Sequence, residues 1–316
     1  MRRGAATLAV CALVALAGCG GDGDDGSRVG DKLPAAGGGG ELAYALPSLP
    51  STLDPLDADD RASITVVRQL FEPLIERLSG PYGGTAPQPG LALSARPSRD
   101  RTTWTVALRP GVRFQDGTPF NAAAVLANSR RWHDDPVGSR LLPELFAVDA
   151  PRPDEVRFLL DEPVPDLMKR LADPRLGIVS PRALEPESGR GARFVESARG
   201  AGTGPFEPGP TGEGKLVLSR FQGWWGSPIG LGPALDQVTL MAAPQPAQRL
   251  RMLEDGTVQV ADPLPRAGLK AADADPLLAT RGGPLEGIGL EGSVRGIASA
   301  RSVPVLSSVW LTRLRG

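Results

Sequence analysis

From Glu41 onward the apolar residues switch repeatedly between a two-residue and a three-to-four-residue repeat. This alternation limits the body of the chain to a mixed fold of strands and helices. Residues 42–46 read as a short strand stopped by Pro47. Residues 63–78 carry Ile64, Val67, Leu70, Phe71, Leu74, Ile75 and Leu78 at helical spacing, with a kink at Pro73. Residues 80–89 read as a loop. Residues 102–108 alternate, which puts Trp104, Val106 and Leu108 on one face, and residues 112–114 follow the Pro110-Gly111 turn as a second arm of a hairpin. Asn121 then caps a helix to about His133, with Ala124, Val125, Asn128 and Trp132 on one side. Further strands are predicted at 156–160, 238–242 and 258–261, and 202–206 leads into a strand pair that returns over 216–221, with helices at 165–172 and at 246–255 before Gly256. A closing strand is predicted at 303–311. The expected class is α/β in the mixed, α+β sense.

The front of the chain is built differently. Arg2 and Arg3 precede an apolar run over 5–16, interrupted only by Thr7 and Cys11 and too short to span a bilayer as an anchor. Leu16-Ala17-Gly18-Cys19 follows, and it resembles the lipobox of bacterial lipoproteins, in which the cysteine thiol receives a diacylglyceryl group. Residues 1–18 are therefore expected to be a removed signal peptide, with Cys19 the lipid anchor. Each buried acyl methylene contributes about 0.8 kcal/mol, so two or three chains hold durably. Residues 19–40 are mostly Gly, Asp, Ser and Ala and read as a flexible tether. Cys11 and Cys19 are the only cysteines, so no disulfide is expected and the body must rest on its core. With 41% hydrophobic residues, the material suffices for one large core or two small ones. Losing Arg2 and Arg3 takes the net charge from −1 to −3, which leaves no basic excess to neutralise nucleic acid.

Motifs that carry chemistry are few. Gly202-Thr203-Gly204 lacks a following Lys-Ser/Thr, and Pro205 removes an amide where a phosphate-binding helix would begin, so a cleft-facing loop is the better reading. His133 is the only histidine and stands at a helix end, where solvent and the helix dipole account for it. Without a second histidine, a body cysteine or a Gly-x-Ser-x-Gly elbow, neither a hydrolase nor a closed metal site assembles, and no enzyme, cofactor or metal is expected. Trp104 belongs in the core. Trp224 and Trp225 are adjacent and cannot both point inward on a strand, so one of them is a candidate for a cleft.

Several segments in order resemble the family 5 extracellular solute-binding proteins, the dipeptide, oligopeptide and nickel receptors of ABC transporters. They are Ser51-Thr52-Leu53-Asp54-Pro55, then Phe71-Glu72-Pro73-Leu74, then the long run from Thr103 through Arg109-Pro110-Gly111 to Phe114-Gln115-Asp116-Gly117-Thr118-Pro119-Phe120. Gly202 to Phe206, Gly223-Trp224-Trp225-Gly226, Leu235-Asp236-Gln237-Val238 and Leu253-Glu254-Asp255-Gly256 follow. Gln115, Ala124 and Gln259 depart from the family, which often has His, an acidic residue and Asp there.

The resemblance implies a periplasmic-binding-protein lobe of the class II type over 41–262. Residues 263–316 would be a remnant connection and closing strand, with the second lobe largely absent, either as a short variant or as a fragment. It also implies capture of a peptide-like or other small ligand for ABC permease subunits, on the outer face of the cytoplasmic membrane. The candidate ligand-binding residues are Ser48, Thr52, Asp54, Thr203, Gly204, Phe206, Trp224 and Trp225. The alternative is a one-lobe, non-transport lipoprotein that serves as an interaction or sensing module.

Overall fold

The computed structural model describes residues 40–77, 87–185, 200–229, 233, 235–262, 264, 278–281 and 310–313, the last two segments as backbone. The expected signal peptide, Cys19 and the tether up to residue 39 lie outside the described residues, as does most of 263–316.

Strand β1 (Glu41–Leu46) organises the larger sheet. It pairs in parallel with β10 (Gln237–Ala242) on one side and β11 (Val260–Ala261) on the other. Antiparallel strands extend this into a seven-stranded sheet, through β9 (Lys215–Arg220) and β8 (Phe206–Gly212) at one edge and β13 (Trp310–Arg313) and β12 (Leu278–Arg281) at the other. A strand flanked on both sides needs apolar residues on both faces, and β1 supplies them. Leu42, Tyr44 and Leu46 pack with Val66, Val67 and Leu70 of α1 (Arg61–Leu70), while Ala43 and Ala45 meet Leu253 of α6 (Pro246–Glu254) behind the sheet. The sequence departure at Gln259 falls here: its side-chain Oε1 accepts from the Ala43 amide at 2.8 Å, and its own amide donates to the Ala43 carbonyl at 2.9 Å.

Helix α1 begins at Asp60, whose carboxylate accepts from the Ser63 amide at 2.9 Å. It ends at Leu70 rather than kinking through to 78, because Glu72 precedes Pro73 and is barred from helical backbone. Phe71 is already extended at φ −124°. Leu74 and Ile75 are buried as their spacing suggested, but Ile75 opens β2 (Ile75–Arg77), which pairs with β3 (Pro87–Pro89) inside the expected loop.

The second sheet is four-stranded and antiparallel, in the order β4 (Ala92–Pro97), β5 (Thr103–Leu108), β7 (Glu155–Leu160), β6 (Leu145–Arg152). Trp104, Val106 and Leu108 are buried on one face of β5, as the alternation requires. The expected hairpin partner at 112–114 does not form. Those residues fold back locally, with the Phe114 amide on Thr118 O at 2.9 Å and the Phe120 amide on Val112 O at 3.0 Å, and β5 pairs with β4 and β7 instead. Helix α2 (Ala122–Asp134) starts at its expected cap, Asn121, and lays Ala124, Val125 and Trp132 into this core. Short helices α3 (Pro136–Leu141), α4 (Leu167–Arg170) and α5 (Pro181–Leu184) follow, α4 being a single turn within the expected 165–172.

Candidate functional site

The loop from Gly202 to Gly204 crosses the C-terminal end of α1 at backbone distance. A Cβ on Gly202 would lie 1.8 Å from the Leu70 carbonyl oxygen, and one on Gly204 would lie 2.4 Å from that of Gln69. The two glycines are required for this approach. The Gly204 amide donates to Leu70 O at 2.9 Å, which satisfies a carbonyl that the helix end leaves open. These glycines therefore close a helix terminus. Thr203, fully buried between them, faces the segment that leaves the helix.

That segment carries Glu72, 5% exposed. Its carboxylate accepts the indole N–H of Trp224 at 3.3 Å on Oε1, and that of Trp225 at 3.1 Å on Oε1 and 2.9 Å on Oε2. The two rings stand 5.5 Å apart, tilted by 52°. Adjacent residues reach one acceptor because they sit on a turn after β9 and not on a strand. Trp224 is buried and Trp225 half-buried. The Arg109 guanidinium, at the end of β5, lies 4.0 Å above the Trp225 ring, and its Nε donates to Gly90 O at 2.9 Å.

Burial raises the Glu72 pKa to about 7, against the opposing pull of the Trp225 indole, the Thr203 hydroxyl, the Trp224 indole and the charge of Arg109. Thr203 Oγ1 is close enough to exert that pull but lies outside good hydrogen-bond geometry. Glu76, four residues on, is raised to about 8 by burial and then by the charge of Glu72, with Arg68 opposing.

The remaining candidates fall elsewhere. Thr52 and Asp54 are buried before the other end of α1, roughly 15 Å away along a ten-residue helix. Thr52 Oγ1 accepts from the Asp54 amide and Asp54 Oδ1 from the Leu56 amide, both at 3.0 Å, and Arg131 of α2 pairs with Asp54. Ser48 is exposed just beyond β1. The Phe206 ring is buried against the α1 side of the large sheet, and its carbonyl accepts the Gln115 side-chain amide at 2.7 Å. The same amide reaches Gly204 O at 3.3 Å, so this departure from the family serves the glycine loop. Ala124 lies buried in α2. His133 is exposed beside Asp134, on a separate half-open cavity of about 290 Å³ lined also by Trp132, Phe146 and Asp161.

Thr203, Gly204, Trp224 and Trp225 thus come together, and Ser48, Thr52, Asp54 and the Phe206 ring do not join them. Glu72 and Arg109, which complete the cluster, are not among the residues that the sequence singles out. Each stands within a family-like motif, but nothing in a linear pattern brings the two together.

Comparison with known proteins places this geometry in context. The model for bacterial extracellular solute-binding proteins, family 5 Middle, matches residues 86–294. The glutathione-binding protein GsiB of Escherichia coli (strain K12) is 34% identical over 230 residues, covering 71% of this chain and 42% of GsiB. The solved structure of NikA from Brucella suis in complex with Fe(III)-EDTA superposes with a TM-score of 0.67 at 25% identity, over 76% of this chain and 48% of NikA. The periplasmic binding protein DppA from Helicobacter pylori, in complex with the peptide STSA, shares the fold with a TM-score of 0.68 at 21% identity, over 77% of this chain and 50% of DppA. The chain spans about half the length of these relatives, or somewhat less.

Proposed function

This chain belongs to the family 5 bacterial extracellular solute-binding proteins, and from that membership we propose that it captures a peptide-like solute outside the cytoplasm for an ABC permease. The observation that carries the reading is the 34% identity to a glutathione-binding protein over 230 residues. Glutathione is itself a short peptide with free carboxylates. The half-buried Trp225 ring with Arg109 above it offers such a molecule a flat apolar surface and a positive charge. We take Trp225 and Arg109 as the ligand-facing pair, with Trp224, Thr203 and Gly204 as the support behind them. Ser48, Thr52 and Asp54 are proposed to act separately, from the loop between β1 and α1, and Phe206 through its backbone at the start of β8. Cys19 would carry the lipid that keeps the receptor at the membrane, and the protein would do no chemistry of its own.

A thermal-shift series with glutathione and short peptides, run beside the same molecules with their carboxylates blocked, tests this. The expected result is a saturable rise in Tm for the free acids, corresponding to about 2.7 kcal/mol when ligand reaches a hundred times Kd. The rise should be absent in a folded Trp225→Ala variant. A folded protein that no peptide shifts contradicts capture and favours the one-lobe interaction module.

A further inference from the structure

Glu72 stands where separate pieces of chain converge. The segment that leaves α1 passes from one core to the other within a few residues: Phe71 packs on the α1 side of the large sheet, Leu74 and Ile75 in the four-stranded-sheet core. The Trp224–Trp225 turn arrives from the large sheet, Arg109 from β5 of the small one, and Thr203 from the glycine loop. One carboxylate takes hydrogen bonds from both indoles, so whatever alters it alters how these pieces are held.

We propose that Glu72 is a proton-linked positioning residue. Ionised, it holds both indoles and keeps the Trp225 ring under Arg109. When it takes a proton from solvent, Oε2 turns its hydrogen to Thr203 Oγ1 and releases its bond from Trp225.

The geometry supports each half of this exchange. Oε1 is shared by both indoles at 3.3 and 3.1 Å, whereas Oε2 carries only the 2.9 Å bond from Trp225. Protonation at Oε2 therefore costs one indole bond and leaves the other two. Thr203 Oγ1 is fully buried and lacks a well-formed bond, and so is an acceptor already in place. The charged groups around the carboxylate are few. Arg109 at the end of β5 favours the ion, while Glu76 from β2 is itself raised by the charge of Glu72 and is still largely neutral where Glu72 titrates. Arg68 from α1 offsets Glu76 and is itself acted on by Arg77 and Asp173. The tryptophan turn and the glycine loop bring no ionisable group. Burial sets the exchange in the neutral range, where an extracellular protein meets changes of pH. If Trp225 and Arg109 face the ligand as proposed above, affinity weakens on acidification. That consequence rests on the functional reading, and the exchange itself does not.

The test follows the indole N–H resonances of Trp224 and Trp225 in the full chain without ligand, through the neutral pH range, with signals assigned by W224F and W225F. Both signals should move together with one midpoint. Glu72→Gln keeps an oxygen for the indoles and offers an amide hydrogen to Thr203, so it should abolish the midpoint and hold both signals at their acid position. Glu76→Gln should leave the midpoint in place, because Glu76, raised to about 8 by burial and by the charge of Glu72, is still largely neutral where Glu72 titrates. Indole signals that stay fixed in the unsubstituted chain, or a midpoint that persists in Glu72→Gln, overturn the proposal. Should Glu72→Gln not fold, the ¹³C signal of the Glu72 carboxyl decides in the unsubstituted chain: titration with the same midpoint supports the exchange and a flat signal overturns it. A chain whose indoles titrate but which binds no peptide contradicts the proposed function and leaves the exchange standing.

Discussion

Gly202 and Gly204 show how one residue type can be read two ways. In the linear sequence they suggest a loop that faces a ligand, and in the structure their missing side chains let two backbones meet at the end of α1. Gly204→Ala should therefore cost more than about 2 kcal/mol, because its Cβ meets backbone atoms that cannot move aside cheaply. Urea unfolding midpoints measure this directly. Glu72 has a different signature. Its folded pKa of about 7 lies above its usual 4.5, so the folded state binds more protons between those values. Its contribution is fully present below 4.5 and is lost as pH rises through about 7, with Glu76 carrying the decline on toward about 8. Tm measured against pH should fall over this window, less steeply in Glu72→Gln, and a slope unchanged in that variant would contradict the assignment. The sequence named both tryptophans because their adjacency is visible in a line. It passed over Glu72 and Arg109 because what makes them matter is a meeting across the fold.

At the scale of elements, the readable signals were those with a local cause. The alternation of Trp104, Val106 and Leu108 is set by strand pleat, and Asn121 caps α2 through its own side chain, which accepts from the Ala124 amide at 3.2 Å. The end of α1 was legible too, in the rule that the residue before proline leaves the helix, but the apolar spacing through Ile75 pointed past it. The hairpin expected at 112–114 failed for a non-local reason. β5 finds partners in β4 and β7, and β7 lies some fifty residues later. Asn128 joins elements in a way no pattern announces. It is fully buried in α2, donates to Val179 O at 2.7 Å and accepts from the Val179 amide at 3.0 Å. Asn128→Leu would leave both backbone groups of Val179 buried and unsatisfied, and should destabilise by about 3 kcal/mol in denaturant titration. Asn121→Ala, which removes only a cap, should cost about 1 kcal/mol.

For the whole molecule, the expectation of a mixed α/β body with one large or two small cores meets, among the described residues, two main sheets and the small β2–β3 pair. One core lies under the four-stranded sheet, one lies between the large sheet and α1, and a smaller one lies beneath α6. Glu72 and the glycine loop sit at the passage between the first two, which is why the candidate site is also a structural joint. The match covers only 42% of GsiB and 48% of NikA, so capture by these residues is the claim that most needs a direct test. Native mass spectrometry of the gently purified full chain gives it. The account predicts a population heavier by a small, peptide-like molecule, or one that appears on adding glutathione and is lost in Trp225→Ala. A folded chain found only at its bare mass, with and without glutathione and short peptides, would contradict it.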